Sequence, residues 1–432
     1  MFGAIGAASA ALLQMPADAA VTSAGVTPRN TAKAVIFINM AGGPSQVDTF
    51  DPKDGPWNPS DADIRQYGNI LLSHRYYPIL STLTSQLCLI RCAASWEAAH
   101  SRGQFYLQTN HSFNPAFAPV LPHIGAVASY EVGGKGVLPP YFSIAPTLGD
   151  EQQQGFLPGI DTPFTFTPNQ GGLTNLTHDF YGSNSQPFFN SAYSLLQALD
   201  APLRTNPLSD NMAAYSSVVG QARGLIYNPL VAPVFKYTAA DDSRYGSNSF
   251  GRAMIVARNT VQAKLGTVFI TVTLTGWDQH FNQFDSHNNS NLYILNNTLD
   301  SGLGNLISDL QASGDLSSTM IVALGEFGRT PGPLNSQSGR DHWPTTMSVL
   351  FAGGGVKGGQ AIGTTDSMGA YVVDPGWSGQ RQIFMEDIAS TIYSALGIDW
   401  TKTIQNTPIG RPYVYVPGSD TGDFGPIPEV FA

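Results

Sequence analysis

The 432-residue chain is 42% hydrophobic and 11% aromatic, enough to bury a large core in one elaborated domain or two smaller ones. Only 12% of it is charged, about half of what soluble domains carry, which points to a polar, loop-rich surface of low charge density. With 21 basic against 31 acidic residues, a net charge of -10 and no basic cluster, the chain is unsuited to nucleic acid or anionic membrane surfaces, because neutralising phosphates needs grouped Lys or Arg.

Residues 1–30 read as leader and linker. Phe2 to Leu13 is a small-residue apolar stretch, and Ala17-Asp18-Ala19-Ala20 looks like a signal-peptidase site. The first basic residue is Arg29, so the segment reads as a secretory signal lacking its front end, and export to a periplasmic or extracellular location is expected. No later stretch is uncharged and apolar for 18 residues, so no transmembrane segment is expected.

Lys33 to Met40 predicts a buried strand, closed by the turn Ala41-Gly42-Gly43-Pro44-Ser45 and followed by Asp48 and Asp51. Pro78 to Gln86 suggests a short helix and Leu87 to Cys92 a second strand. Along that strand Cys88 and Cys92 are roughly 13 Å apart, too far for a disulfide, so two buried free thiols are expected. Residues 98–110 predict a helix that carries His100, Ser101 and Arg102. From about 112 to 245, Pro and Gly clusters read as an inserted cap or long loops, with helices around 192–203 and 210–225.

Gly251 to Leu265 has helical spacing again. The β-branched run Thr267 to Leu274 predicts a strand that opens into Gly276-Trp277-Asp278-Gln279-His280. Leu292, Leu295, Leu299, Leu303, Leu306 and Leu310 then mark one face of a helix over 291–310. Thr319 to Leu324 predicts a strand leading into Gly325-Glu326-Phe327-Gly328-Arg329, and Gly339-Arg340-Asp341-His342-Trp343 precedes a further strand, Met347 to Ala352. Ile383 to Leu396 is a last amphipathic helix. The order strand, polar loop, helix, strand predicts an α/β fold with a mostly parallel central sheet flanked by helices, spanning 31–432.

Three loops, each after or between predicted strands, supply carboxylates and imidazoles: Asp48 with Asp51, Asp278 with His280, and Glu326 with Asp341 and His342. Strand ends can bring such O and N ligands together around a divalent cation. Plainer readings stand beside this one. Asp278 could brace the turn beside Trp277, Glu326 and Arg329 could form a structural ion pair, and Asp341 could bridge to Arg340. Gly353 to Gly359 lacks the Lys-Ser/Thr ending of a phosphate loop and reads as a tight turn. No Gly-x-Ser-x-Gly elbow is present.

The stretches Asn39 to Lys53, Gly276 to Gln283, Gly325 to Pro331, Gly339 to Trp343, and Gly353 to Gly359 with Gly363 and Asp366 resemble a bacterial family known as domain of unknown function 1501, often described as sulfatase-like. That family resembles a branch of the alkaline phosphatase superfamily. The resemblance implies an alkaline-phosphatase-like α/β domain with an inserted cap and hydrolysis of a phosphate or sulfate ester at divalent metals, two in that superfamily's scheme. It implies a metal shell of Asp48, Asp278, His280, Glu326, Asp341 and His342, holding zinc, calcium or manganese. Arg329 or Arg102 would hold the ester oxygens, Ser101 or water would attack, and His100 or His280 would assist proton transfer. The substrate would be a small anionic ester or a sulfated or phosphorylated glycan. The sulfatase pattern Cys-x-Pro-x-Arg is absent, and Asn39 stands where an early aspartate is usual. These departures motivate the alternative of a catalytically inactive extracellular or cell-surface binding or assembly protein that retains the fold, with self-association into a homo-oligomer left open.

Overall fold

A computed structural model describes residues 21–134, 136–146, 153–173, 181–205, 210–289 and 291–432; the apolar leader at 2–20 lies outside them. The apolar runs become strands: Ala34–Ala41 (β1), Leu87–Ala93 (β2), Tyr141–Ile144 (β3), Phe164–Phe166 (β4), Phe269–Thr275 (β5), Thr319–Leu324 (β6), a short Gly328–Arg329 (β7), a short His342–Trp343 (β8), Met347–Ala352 (β9) and Gln360–Ile362 (β10). Eight of them form one sheet in the order β10-β2-β9-β6-β1-β5-β3-β4. Every neighbouring pair is parallel except those of β9, which runs antiparallel to both β2 and β6.

The central strands are hydrophobic without interruption because both faces of the sheet are covered. Alternate side chains serve opposite layers: Val35 and Phe37 of β1 pack with Met320, Val322 and Leu324 of β6 in one core, while Ile36 and Ile38 pack with Ile321 and Ala323 in the other. The first core is closed by the helices His100–Thr109 (α1), Ile124–Val132 (α2) and Met385–Leu396 (α8), through residues such as Phe105, Ile124 and Ile392. The second is closed by Ser249–Ala263 (α5), Leu292–Leu299 (α6) and Asn305–Ser313 (α7), through Ile255, Leu295 and Leu306. Cys88 and Cys92 are buried and free, and burial pushes each thiol up to about 12.

Local departures from the sequence-based expectation have physical causes. Pro78 to Gln86 forms two 3₁₀ turns rather than a helix, and the Asp300 carboxylate caps the backbone N–H groups of Ile79 and Leu80 there, at 3.0 and 2.8 Å. The long helix over 291–310 is divided by a π turn at Asp300–Gly304, which places that carboxylate. The segment 112–245 supplies α2, the last two strands of the sheet, β3 and the edge strand β4, and the helices Ser185–Thr205 (α3) and Asp210–Leu225 (α4). Among the described residues, no helix is long and apolar enough to cross a membrane.

Strand direction decides what meets at the site. β1, β2, β5 and β6 all end at one edge of the sheet, and β9, being antiparallel, begins there. The loops after the first four strands and the β7–β8 ribbon that leads into β9 therefore converge at the carboxyl edge, where open α/β sheets bind ligands.

Candidate metal centre

Each converging loop contributes one or more polar side chains. The chain leaving β2 reaches His100, the first residue of α1; the chain leaving β5 carries Asp278 and His280; β8 carries His342, paired across the ribbon with Arg329 of β7. Gly42, just after β1, has φ +117, and a Cβ there would lie 2.4 Å from the backbone N of Asp278. Only glycine lets these two loops lie against each other.

The ligand-capable atoms of His100, Asp278, His280 and His342 lie within 4.8 Å of one another. Asp278 Oδ1 is 3.1 Å from His100 Nε2, 3.1 Å from His280 Nε2 and 3.8 Å from His342 Nε2. His280 Nε2 and His342 Nε2 are 3.1 Å apart. A tetrahedral ion with bonds of about 2.0–2.1 Å has ligand-to-ligand edges of roughly 3.3–3.4 Å, so the spacing suits such an ion.

Behind each imidazole stands an acceptor. His100 Nδ1 is 2.7 Å from Glu326 Oε1, His280 Nδ1 is 2.8 Å from Asp341 Oδ1, and His342 Nδ1 is 2.6 Å from the Ala98 carbonyl oxygen. An acceptor at Nδ1 keeps the proton there and turns the Nε2 lone pair toward the centre, the arrangement used to orient metal-binding histidines. His100 Nε2 is buried and, among the described residues, faces Asp278 Oδ1 at 3.1 Å without a well-formed hydrogen bond. In this tautomer the Nε2 atoms of His280 and His342 oppose each other lone pair to lone pair, which is unfavourable without a cation or proton between them. Three nitrogens and one carboxylate suit a borderline divalent ion such as zinc, and the donor set therefore fits a metal.

The outer residues are fully engaged. Glu326, 2% exposed, accepts hydrogen bonds from Gly42 N at 3.1 Å, Gly43 N at 3.0 Å and Gln104 Nε2 at 2.7 Å. Arg329 is buried and directs its guanidinium at Asp278 Oδ1 (2.5 Å), the carbonyls of Gly42, Gly43 and Arg340, and His280 Nε2 at 3.3 Å. The electrostatics follow. Burial works against the Asp278 carboxylate, but the Arg329 hydrogen bond and charge, with His100, hold it below the usual range. The Glu326 hydrogen bond raises the His100 pKa despite burial. Burial, with the nearby Arg329 charge, lowers that of His342. Asp341 is lowered by its His280 hydrogen bond.

Of the six residues expected to form a metal shell, Asp278, His280 and His342 come together. Glu326 and Asp341 stand one layer out, each behind an imidazole. Asp48 is elsewhere: its carboxylate is buried against Arg340 Nε at 2.6 Å and Gln283 Nε2 at 3.4 Å, because the 3₁₀ turn Gln46–Asp48 points it away from the cluster. His100, expected to move protons, stands among the four ligand-capable residues. Four of the five N–H groups of Arg329 are held by the Gly42, Gly43 and Arg340 carbonyls and by Asp278, and the fifth faces His280 Nε2, so the guanidinium serves the cluster's frame before any ester oxygen. Arg102 is exposed and pairs with Glu97 at 2.7 Å, and Ser101 is exposed with no hydrogen bond to any of the four. Neither of the plainer ion pairs forms: Glu326 binds His100 and Asp341 binds His280. Gln104 and the Ala98 carbonyl were not singled out from the sequence, since a glutamine inside a helix and a backbone oxygen leave no motif.

A family model described as "Protein of unknown function (DUF1501)" matches residues 32–419. No curated protein matches the chain by sequence. Among solved structures, a protein of the alkaline phosphatase superfamily from Vibrio parahaemolyticus is similar at TM-score 0.42 and 10% identity, covering 89% of this chain and 71% of that one. The PsFucS1 sulfatase from Pseudoalteromonas sp. gives 0.39 and 11%, covering 87% and 68%. The alkaline phosphatase of the Antarctic bacterium TAB5 gives 0.37 and 14%, covering 86% and 99%.

Proposed function

The chain belongs to the DUF1501 family of proteins of unknown function, and from that premise and the cluster's geometry we propose that it is a divalent-metal-dependent hydrolase of phosphate or sulfate esters. One observation carries the reading: the side chains of His100, Asp278, His280 and His342 are 33, 49, 34 and 25% exposed, so the cluster opens to solvent where a purely structural metal site is closed. With one carboxylate among four donors, a divalent ion there keeps a net positive charge, which favours an anionic substrate. The ester class follows the resemblance of the glycine-rich and acidic stretches to the sulfatase-like family.

A bound divalent ion supplies acidity to a water molecule and offsets charge developing on ester oxygens. The chain's own residues do the rest. Glu326, Asp341 and the Ala98 carbonyl hold the three imidazoles in one tautomer, and Arg329 fixes Asp278 from behind. Asp341, exposed and ionised at neutral pH, holds the Nδ1 proton of His280 and so keeps the Nε2 lone pair of that ring available to the ion. Water rather than Ser101 is the nucleophile in this reading, because no hydrogen bond ties the Ser101 hydroxyl to the cluster.

The second reading, a fold-retaining surface binding or assembly protein, has one observation in its favour. Among the described residues there is a single metal-capable cluster, where the superfamily scheme calls for two ions. Turnover of aryl phosphate and aryl sulfate by protein loaded with zinc, manganese or calcium separates the two. Hydrolysis that is lost in Asp278→Asn and His342→Ala and kept within a few-fold in Ser101→Ala is expected. A stoichiometric bound ion with no turnover of either ester would establish the second reading.

A further inference from the structure

The loop that carries His100 to the cluster also carries an exposed, immobilised tryptophan. Residues 95–98 lie along the β8 ribbon, fastened at both ends: Ser95 N donates to Pro344 O at 2.9 Å, and Ala98 O accepts from His342 Nδ1 at 2.6 Å. Trp96 stands between these clamps. Its indole stacks on Phe384, just before α8, with ring centroids 3.9 Å apart and planes 2° from parallel. One face of the ring is covered by Phe384; even so, the residue is 57% exposed, so the other face is open to solvent. Next along the chain the half-exposed Arg102 guanidinium pairs through Nε with the largely covered Glu97 carboxylate, and among the described residues its terminal nitrogens make no hydrogen bond.

We propose that Trp96 with the Glu97–Arg102 pair forms a pyranose-binding platform beside the metal cluster, so that the favoured ester is one borne by a sugar ring. A pyranose has an apolar face of C–H bonds polarised by the ring oxygens, which suits the electron-rich face of an indole, and equatorial hydroxyls at its rim. Those hydroxyls match the terminal guanidinium donors of Arg102, which a planar aryl group would leave unused. Because the indole is already held by its stack on Phe384, little side-chain entropy is lost on binding. The proposal rests on the ester reading for the anion but not for the ring.

Neutral sugars therefore test it independently of any metal. The Trp96 indole N–H resonance, assigned by its loss in Trp96→Phe, is followed during titration with methyl β-D-glucopyranoside, methyl β-D-galactopyranoside and acyclic sorbitol. Saturable shifts with a pyranoside at millimolar concentration and none with sorbitol are expected, with Arg102→Ala weakening the response about tenfold. No shift with either pyranoside up to about 200 mM, or an equal shift with sorbitol, would overturn the platform. On zinc-loaded protein, Trp96→Ala is expected to weaken glucose 6-phosphate about tenfold while leaving inorganic phosphate unchanged. Equal loss of both, or of neither, would count against it. A pyranoside response in a protein that hydrolyses no ester would sink the hydrolase reading alone.

Discussion

Two Asp–Arg pairs lie at the same edge of the sheet and have opposite characters. Asp48 and Arg340 are both buried, 3% and 0% exposed at the side chain, and the pair is closed in by further bonds: Arg340 also donates to the carbonyls of Thr330 and Gly332. Asp278 and Arg329 are a pair of which only the arginine is buried, 1% against 49%, and the carboxylate faces three imidazole nitrogens. The same residue types thus give a dry brace in one loop and an open cluster in the other. The distinction lies in whether the aspartate has an unused face, which burial and partner count decide.

The comparison can be broken from either side. The largest expected effect is on the closed pair. Asp48→Ala leaves Arg340 buried without its countercharge and is expected to cost about 3–5 kcal/mol of stability by denaturant unfolding, with metal content per folded molecule unchanged. A loss under about 1 kcal/mol, or a folded variant that no longer holds metal, would remove the distinction between the pairs.

In the open cluster the expected effect is on binding. Asp341→Asn, which weakens the acceptor behind His280 without touching the centre, is expected to lower zinc affinity by about 10–100-fold, roughly 1.4–2.8 kcal/mol, and to leave the melting temperature of the metal-free protein nearly unchanged. Unaltered affinity in a zinc titration would mean that His280 needs no orienting partner.

A smaller, graded effect comes from pH. Glu326 raises the His100 pKa above its ordinary 6.5, so the metal-free protein draws stability from the charged pair below that value and loses it as pH rises through the folded-state pKa. A metal must displace that proton. Zinc affinity is therefore expected to climb about tenfold per pH unit, about 1.4 kcal/mol, from about 6 until His100 is neutral, and then to level off. The thermal shift on adding zinc should grow over the same window. In Glu326→Gln the plateau should begin at lower pH, and an unmoved profile would show that another group controls the proton.

Much of the sheet was legible because its strands are buried on both faces and so appear as unbroken apolar runs; Thr319–Leu324 and Met347–Ala352 fall where their composition places them. The candidate cluster was legible by loop but not by layer. Asp341 and His342 are adjacent in extended chain, where successive side chains point to opposite sides, so one of them had to face away from the centre. That alternation was available from the sequence. Asp48 could not be sorted in the same way, because its countercharge, Arg340, is 292 residues away and no local pattern links them. His100 was named for proton transfer, and its place among the ligand-capable residues was hidden likewise, because its partners lie at 278, 326 and 342. Its one signal was position, since it follows β2 as Asp278 follows β5.

Anomalous diffraction from crystals soaked in zinc tests the central claim most directly. The expected result is one strong peak about 2.0–2.2 Å from the Nε2 atoms of His100, His280 and His342 and from an Asp278 oxygen, absent in crystals of Asp278→Asn. No peak there, or a peak that survives that substitution, would contradict it.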